Sequence, residues 1–372
     1  MKAIIFLSVC CVCVLFGLLA GCEERPPLVA EQFETRLDTS YVEMQPAFRG
    51  YPGAEDIMIG RDQLLYVADT RGGSNGTGRV VMLDRAGREL ENGSRSILHP
   101  VSLTQTTNLD LLLGAETVAP NGDTVGSILR IHMVASSHNL RVAHIDTVWQ
   151  ELARPNRRFP GITAFDDNTY LAVRTAVPYP DNSSFIDPDA RVLQFNRNDA
   201  FITPVPAFSS GSGGVAGGIT TIYQPTAIAS FSRGRNFVLV QTSVDTTVAI
   251  QFGALWMRFL LSNDFEGWLP AYDPERPEDR SVDFIRSYRF KGPQAVAIDQ
   301  NGSNVFVADA ALDSVFKFNS RGRVKSESFG KFRTGGALTR PTGLAFFEKV
   351  LYVLDSNSGM ILRFRLTTDM PR

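Results

Sequence analysis

The sequence has no cysteine after residue 22. Its four cysteines, Cys10, Cys11, Cys13 and Cys22, lie in or directly after an apolar N-terminal run. A folded domain that follows this run therefore has no disulfide, no thiolate nucleophile and no cysteine-ligated metal.

An excess of positive charge is also missing. The chain has 37 Lys and Arg against 39 Asp and Glu, which gives a net charge of -2. Nucleic-acid-binding proteins neutralise phosphates with a basic surface, so we expect no nucleic-acid partner. Histidine is scarce as well, and all four lie within one repeat of the sequence: His99, His132, His138 and His144. This clustering argues against a catalytic zinc ion held by three ligands from different repeats.

What the sequence does contain is an internal repeat. Six segments begin with a proline, pass through two apolar stretches separated by a polar turn, and reach a polar residue 14 to 17 positions later. The prolines are Pro52, Pro100, Pro160, Pro225, Pro293 and Pro341. Each segment continues into a third run of alternating apolar residues, such as "RVVMLD" in the first and "SVFKFN" in the fifth. This alternation, rich in Val, Phe, Leu and Ile, predicts half-buried antiparallel strands.

The spacing of the repeat predicts the fold. Successive prolines lie 48 to 68 residues apart, at or above the roughly 40 to 50 residues of a four-stranded propeller blade. We therefore predict an all-β protein, a six-bladed β-propeller of four-stranded antiparallel blades. The sixth segment is long enough for three strands only, and the segment Phe33–Phe48 has strand-like composition without a blade of its own. We predict that this N-terminal strand closes the last blade and protects its edge.

Three of the repeats resemble a known family. The runs "LYVADT" in the first repeat, "VFVADA" in the fifth and "LYVLDS" in the sixth, each followed by an apolar strand, resemble NHL repeats. The other three repeats keep the spacing but replace the aspartate with Glu116, Arg174 or Gln241. The resemblance implies a propeller fold and leaves the function open, because one fold carries many functions.

The N-terminus predicts export and lipidation. The segment "MKAIIFLSVCCVCVLFGLLAGCEE" has one lysine, then an apolar run, then "LAGC", which resembles the lipobox of bacterial lipoproteins. We interpret 1–21 as a lipoprotein signal peptide, Cys22 as the lipidated residue, 22–32 as a tether and 33–372 as the propeller. The alternative is a retained single-pass helix, since the run nearly reaches the roughly 20 residues that span a bilayer. We expect lipid anchoring in the bacterial cell envelope, and Glu23 favours the outer membrane by resemblance to enterobacterial lipoproteins.

The polar residues that end the second strand of each repeat are candidate ligand-binding residues. The turn after this strand lies at one end of a propeller, so six side chains are predicted to form a polar ring at the mouth of the central channel: Asp69, Glu116, Arg174, Gln241, Asp309 and Asp355. Carboxylates suit calcium, which takes six to eight oxygens, although the arginine disfavours a purely cationic site. The interpretation that we favour is that the aspartates bond nearby backbone amides and fix turns. We therefore expect no required cofactor, with calcium as the candidate ion.

The turns after the second strands suggest where a partner binds. They are lengthened in the second, third and fourth repeats, at 118–126, 176–190 and 243–253. Insertions in repeat proteins tend to map to one binding face, although surface loops also tolerate growth without any function. The favoured hypothesis is a non-catalytic, lipid-anchored scaffold that binds a protein, peptide or glycan. The alternative is a propeller hydrolase or lactonase that uses a divalent cation at the channel mouth, but no general base can be named for it.

Replacing Cys22 with serine tests the lipid anchor. The Cys22→Ser precursor lacks the thiol that receives the lipid, so it should incorporate no labelled palmitate in a bacterial host, whereas the unchanged protein should be labelled. A Cys13→Ser control changes the same residue type inside the apolar run and should be labelled normally. Label on Cys22→Ser would contradict the lipoprotein interpretation.

Overall fold

The repeats fold into strands close to their predicted positions. The computed structural model describes residues 39–72, 77–184, 186–205, 222–244, 252–272, 276–330 and 338–370. Within these residues, 24 strands form six sheets of four strands each, and all neighbouring strands are antiparallel. The prediction of an all-β, six-bladed propeller is confirmed.

Each sheet, or blade, has an inner, a second, a third and an outer strand. The inner strands are β2 (Ala54–Ile59), β6 (Ser102–Gln105), β10 (Arg157–Ala164), β14 (Pro225–Ser230), β18 (Pro293–Ile298) and β22 (Pro341–Phe347). The second strands are β3 (Leu65–Asp69), β7 (Leu111–Val118), β11 (Tyr170–Ala176), β15 (Phe237–Gln241), β19 (Asn304–Asp309) and β23 (Val350–Asp355). The third strands are β4 (Gly78–Leu83), β8 (Thr124–Ile131), β12 (Arg191–Phe195), β16 (Ala254–Leu261), β20 (Ser314–Asn319) and β24 (Met360–Leu366). The outer strands are β5 (Glu89–Ile97), β9 (Ile145–Gln150), β13 (Phe201–Pro204), β17 (Glu266–Pro270), β21 (Phe329–Gly330) and β1 (Tyr41–Arg49). Two 3-10 helices, Asp283–Ile285 and Thr367–Asp369, lie outside the sheets.

The inner strands form a closed ring. Each contacts the inner strand of the next blade, in the order β2, β6, β10, β14, β18, β22 and back to β2. The apolar faces of neighbouring blades bury one another, as Tyr66 of blade one and Leu113 of blade two do in one core cluster. The second strands are buried on both faces. This burial explains why their sequences read as continuous apolar runs rather than as alternating ones.

The N-terminal strand completes the last blade. β1 pairs with β24, from Tyr41 opposite Leu366 to Arg49 opposite Met360. Phe48 of β1 is 5% exposed and packs in a core cluster shared by blades six and one. The predicted closure is therefore confirmed, with the observed strand beginning at Tyr41.

Residues 1–38, which hold the predicted signal peptide, Cys22 and the tether, lie outside the described residues. The interpretation of that segment stays a prediction. In the part of the chain that is described, no helix has the length and apolar character needed to cross a membrane.

Phe48 provides a test of ring closure. Phe48→Ala removes a buried aromatic ring from the seam between the first and last blades, so it should lower the free energy of unfolding by about 3 kcal/mol. Val42→Ala on the same strand is the control, because Val42 is 39% exposed and its truncation should cost about 0.5 kcal/mol or less. Urea unfolding followed by circular dichroism measures both. An equal fall in the free energy of unfolding for both variants would contradict a stabilising role for Phe48 at the seam.

Candidate functional site

The inner strands surround a central channel with a cavity of about 870 Å³, lined by residues from all six of them. Neighbouring strands of a blade are antiparallel, so the turn after each second strand lies beside the start of the inner strand. We call this end of the channel the loop end, because it carries the three lengthened turns. The opposite end carries the turns that join inner and second strands.

Four inner strands share an irregularity at their start. The pairing of β2, β14, β18 and β22 with their second strands skips one residue near the start of the strand. We call the skipped residues the bulge ring; they are Glu55, Thr226, Gln294 and Thr342, and all four line the channel. A bulge re-aims a side chain relative to the regular strand. The structure therefore places a ring of polar groups at the loop end.

Most of the bulge ring lacks hydrogen-bond partners within the protein. The Thr226 hydroxyl donates to the Pro293 carbonyl of the next blade at 2.8 Å. Among the described residues, the side chains of Glu55, Gln294 and Thr342 make no hydrogen bond or ion pair. Glu55 is exposed and Gln294 and Thr342 are half-buried, so all three groups are open to a molecule in the channel.

A cluster of three charged residues stands beside the bulge ring at the loop end. The Glu116 carboxylate lies 2.5 Å from the Arg158 guanidinium and 3.3 Å from Nδ1 of His99. The hydrogen bond with His99 lowers the pKa of Glu116 and raises the pKa of His99. This pairing stabilises the fold while His99 is protonated, and the contribution is lost as the pH rises through the raised pKa of His99. We call His99, Glu116 and Arg158 the mouth cluster.

A second carboxylate lies next to Glu55 in the channel wall. Asp56 accepts hydrogen bonds from the backbone N–H groups of Ile57 and of Leu103 in the next blade, each at 2.8 Å. Burial raises the pKa of Asp56 to about 7, although these two bonds oppose the shift. Its side chain is partly open to the channel but enclosed by protein on its other sides, which is why burial dominates. Asp56 thus braces blades one and two.

The structure separates the six residues that were predicted to form the polar ring. Only Glu116 lines the channel; the other five lie inside the blades. Asp309 accepts four backbone hydrogen bonds of 2.7 to 3.1 Å, from Lys291, Gly292, Ala311 and Leu312. Asp355 accepts three, from Thr339, Arg340 and Ser358, and Asp69 accepts one from Arg71. These contacts fix turns. The three aspartates do not line the channel, and a ligand-binding role for them stays a prediction.

Arg174 holds the long turn of blade three in place. Its guanidinium lies 3.2 Å from Glu151 and 2.5 Å from Asp187. Arg157 lies 2.8 Å from both Asp187 and Asp189. The two arginine side chains are 5% and 2% exposed. We call these five residues the arginine anchor, since it ties the turn 177–190 to the blade.

Gln241 has a comparable role in blade four. Its side-chain carbonyl accepts from the Tyr223 N–H at 2.9 Å, and its amide donates to the Phe252 carbonyl at 3.0 Å. These bonds fix the chain just before β14 and just after the lengthened turn. In blades three and four, the residue that replaces the aspartate therefore supports a longer turn.

The long turns and the connection between β9 and β10 present apolar side chains to solvent at the loop end. We call this set the apolar rim; its members are 44% to 84% exposed and are Val118, Leu152, Val177, Tyr179, Ile186 and Val244. Val177 also lines the channel, so the rim and the channel are continuous. Apolar groups gathered at one surface in this way are typical of an interaction site.

The sequence contains a signal for the bulge ring that the strand-end alignment did not use. Thr226, Gln294 and Thr342 directly follow the prolines that begin their repeats, so aligning on proline places polar residues at one position. No arrangement of three or more His, Cys, Asp or Glu side chains in the described residues fits a metal ion. Calcium at the channel mouth stays a prediction.

Asp309→Asn distinguishes turn fixing from cation binding. An amide has one acceptor oxygen and would turn its NH₂ group toward backbone N–H donors, so the free energy of unfolding should fall by about 2 kcal/mol. Asp264→Asn changes an exposed aspartate and should be nearly neutral. Thermal unfolding with and without calcium measures both effects. A calcium-dependent stabilisation that disappears in Asp309→Asn would contradict the turn-fixing role.

Comparisons with known proteins support the fold. No family model matches the chain, and no curated protein matches it. Among solved structures, an auxiliary nutrient binding protein from Bacteroides thetaiotaomicron is similar at 10% identity over 85% of this chain and 70% of that one, with a TM-score of 0.54. One from Bacteroides ovatus has 11% identity, 86% and 70% coverage and a TM-score of 0.53. A glucose dehydrogenase has 10% identity, 87% and 98% coverage and a TM-score of 0.56. At such low identity these similarities establish the propeller fold and nothing more specific.

Proposed function

We propose that the protein is a binding protein that receives its ligand at the loop end of the channel. The observation that carries this proposal is the coincidence of three features at one end: unpartnered polar groups of the bulge ring, the mouth cluster and the apolar rim. The partner is a protein, peptide or glycan that lies over blades two to four. Two of the similar structures are named as nutrient binding proteins, which agrees with a binding role.

The arginine anchor supports this proposal because it makes the rim a prepared surface. Tyr179 and Ile186 are exposed at 54% and 84%, yet they lie in a turn whose Asp187 and Asp189 bond two buried arginines. A surface already held in its binding conformation loses less conformational entropy when a partner arrives. A turn that had lengthened without any function would not need buried ion pairs to hold its conformation.

We further propose that the protein is held by lipid on Cys22 in the bacterial cell envelope, at the outer membrane. The "LAGC" segment and the confinement of all cysteines to residues 10–22 support this. The polar segment 22–32 then separates the propeller from the bilayer. The NHL resemblance and the hydrolase or lactonase alternative stay predictions, and no contact in the channel favours the latter.

A pair of surface variants tests the binding face. Tyr179→Ser combined with Ile186→Ser removes two exposed side chains of the apolar rim, so it should weaken capture of partners crosslinked in the native envelope about tenfold or more. Thermal stability should stay unchanged, because neither side chain is buried.

The matched control combines Val142→Ser with Leu261→Ser. These residues are 65% and 73% exposed. Val142 lies in a turn and Leu261 ends β16, both at the opposite end of the propeller from the loop end. Control and unchanged protein should capture the same partners equally well. Undiminished capture by the rim variant, or an equal loss in the control, would refute the proposed face.

A further inference from the structure

We propose that the partner is a protein, and that an extended segment of it inserts a lysine or arginine side chain into the channel to pair with Glu55. This inference rests on the proposed function and specifies the chemistry of its ligand. The flanking residues of that segment lie on the apolar rim.

Two glutamates in the channel wall differ in whether they have an ion-pair partner. Glu116 is neutralised within the protein by Arg158 and His99. Glu55 has no positively charged atom within ion-pair distance among the described residues, and the bulge in β2 sets its side chain in the channel wall. Two exposed arginines at the loop end, Arg71 and Arg340, also have no ion pair in the described residues, but neither lines the channel. Among the charged residues of the channel wall that the structure describes, only Glu55 has neither an ion pair nor a hydrogen bond, and its charge is negative.

A buried hydroxyl group in the channel wall also lacks a hydrogen-bond partner. Thr175 lines the channel and is 5% exposed, and its hydroxyl has no partner. Gln294 and Thr342 add a side-chain carbonyl and a hydroxyl that are equally unused. Lysine has three donors and arginine five, and neither has an acceptor. Each of these three side chains has an oxygen that can accept a hydrogen bond from such a donor-only group, and each can also donate one.

The surroundings of the carboxylates favour a cation as well. Burial raises the pKa of Glu55 above its usual value, even though His99, Arg340 and Arg71 act on it in the opposite direction from greater distances. Burial likewise raises the pKa of Asp56. A positive charge placed beside either carboxylate would stabilise its ionised form and so oppose the effect of burial on its pKa.

The apolar rim favours a polypeptide over a glycan. Five of its six side chains are aliphatic, namely Val118, Leu152, Val177, Ile186 and Val244. Aliphatic side chains bury apolar residues of a peptide through the hydrophobic effect, whereas they offer no ring face to a sugar. Only Tyr179 presents an aromatic ring in this set. The charge in the channel and the surface around it therefore fit a basic residue flanked by apolar ones.

Selection of peptides on the purified mature protein tests the inference. A phage-displayed library of random dodecapeptides is selected on the unchanged protein, on Glu55→Gln and on Glu91→Gln. Glu91 is an exposed glutamate on β5 without an ion pair in the described residues, which makes it the matched control. Peptides that share a lysine or arginine next to apolar residues should be enriched on the unchanged protein and on Glu91→Gln, and not on Glu55→Gln.

The pairing itself is measured with one enriched peptide and a copy in which norleucine replaces the basic residue. Fluorescence anisotropy should show at least a tenfold loss of affinity for the norleucine peptide on the unchanged protein. The same replacement should change little on Glu55→Gln, since the partner charge is already gone.

Three results would overturn the inference: no enrichment on the unchanged protein, enriched peptides without a basic residue, or an equal effect of norleucine on both proteins. Failure of the proposed function is distinguished separately. If peptides bind without a basic residue but lose affinity with Tyr179→Ser and Ile186→Ser, the rim remains a binding face and only the role of Glu55 is wrong. If binding is indifferent to the rim variant as well, both proposals fail.

Discussion

The pairing of β1 with β24 is the constraint on which the rest of the structure depends. It joins segments more than 300 residues apart, as the hydrogen bond from Ser40 to Thr367 does beside it. Loop-closure entropy rises slowly with length, by about 0.6 kcal/mol for each doubling, so a seam of this size can close the ring. Because β22 then contacts β2, the channel and the bulge ring exist only in the closed form.

Within the closed ring, polar groups on the inner strands have two different fates. Some bond across to the neighbouring blade, as Ser102 does with the Phe159 carbonyl and Thr163 with Ser230, each at 2.8 Å. Others stand at the bulges, where the change of register turns them toward the channel. Thr226 also bonds the neighbouring blade from its bulge, so the candidate ligand contacts are the other three bulge residues.

This division explains how much could be predicted from the sequence. Proline spacing and apolar alternation depend on local geometry, so they gave six blades and a closing strand correctly. The strand-end aspartates, such as Asp309, repeat because turns need them, so their regularity indicates turns and not the lining of the channel. A bulge is a property of the pairing between two strands, which no single stretch of sequence reveals. The arginine anchor could not be predicted for the same reason, since Glu151 contacts Arg174 only when two blades pack together.

The start of β10 links the two parts of the candidate site. Successive residues of a strand point to opposite sides, and here Arg157 joins the arginine anchor while Arg158 bonds Glu116 in the mouth cluster. Buried ion pairs contribute little net stability because desolvation offsets their attraction, so their value in this position is geometric. The planar, permanently charged guanidinium fixes several carboxylates at once, which the single point charge of lysine does not. Any movement of β10 at this point would therefore shift the turn of the arginine anchor and the charges of the mouth cluster together.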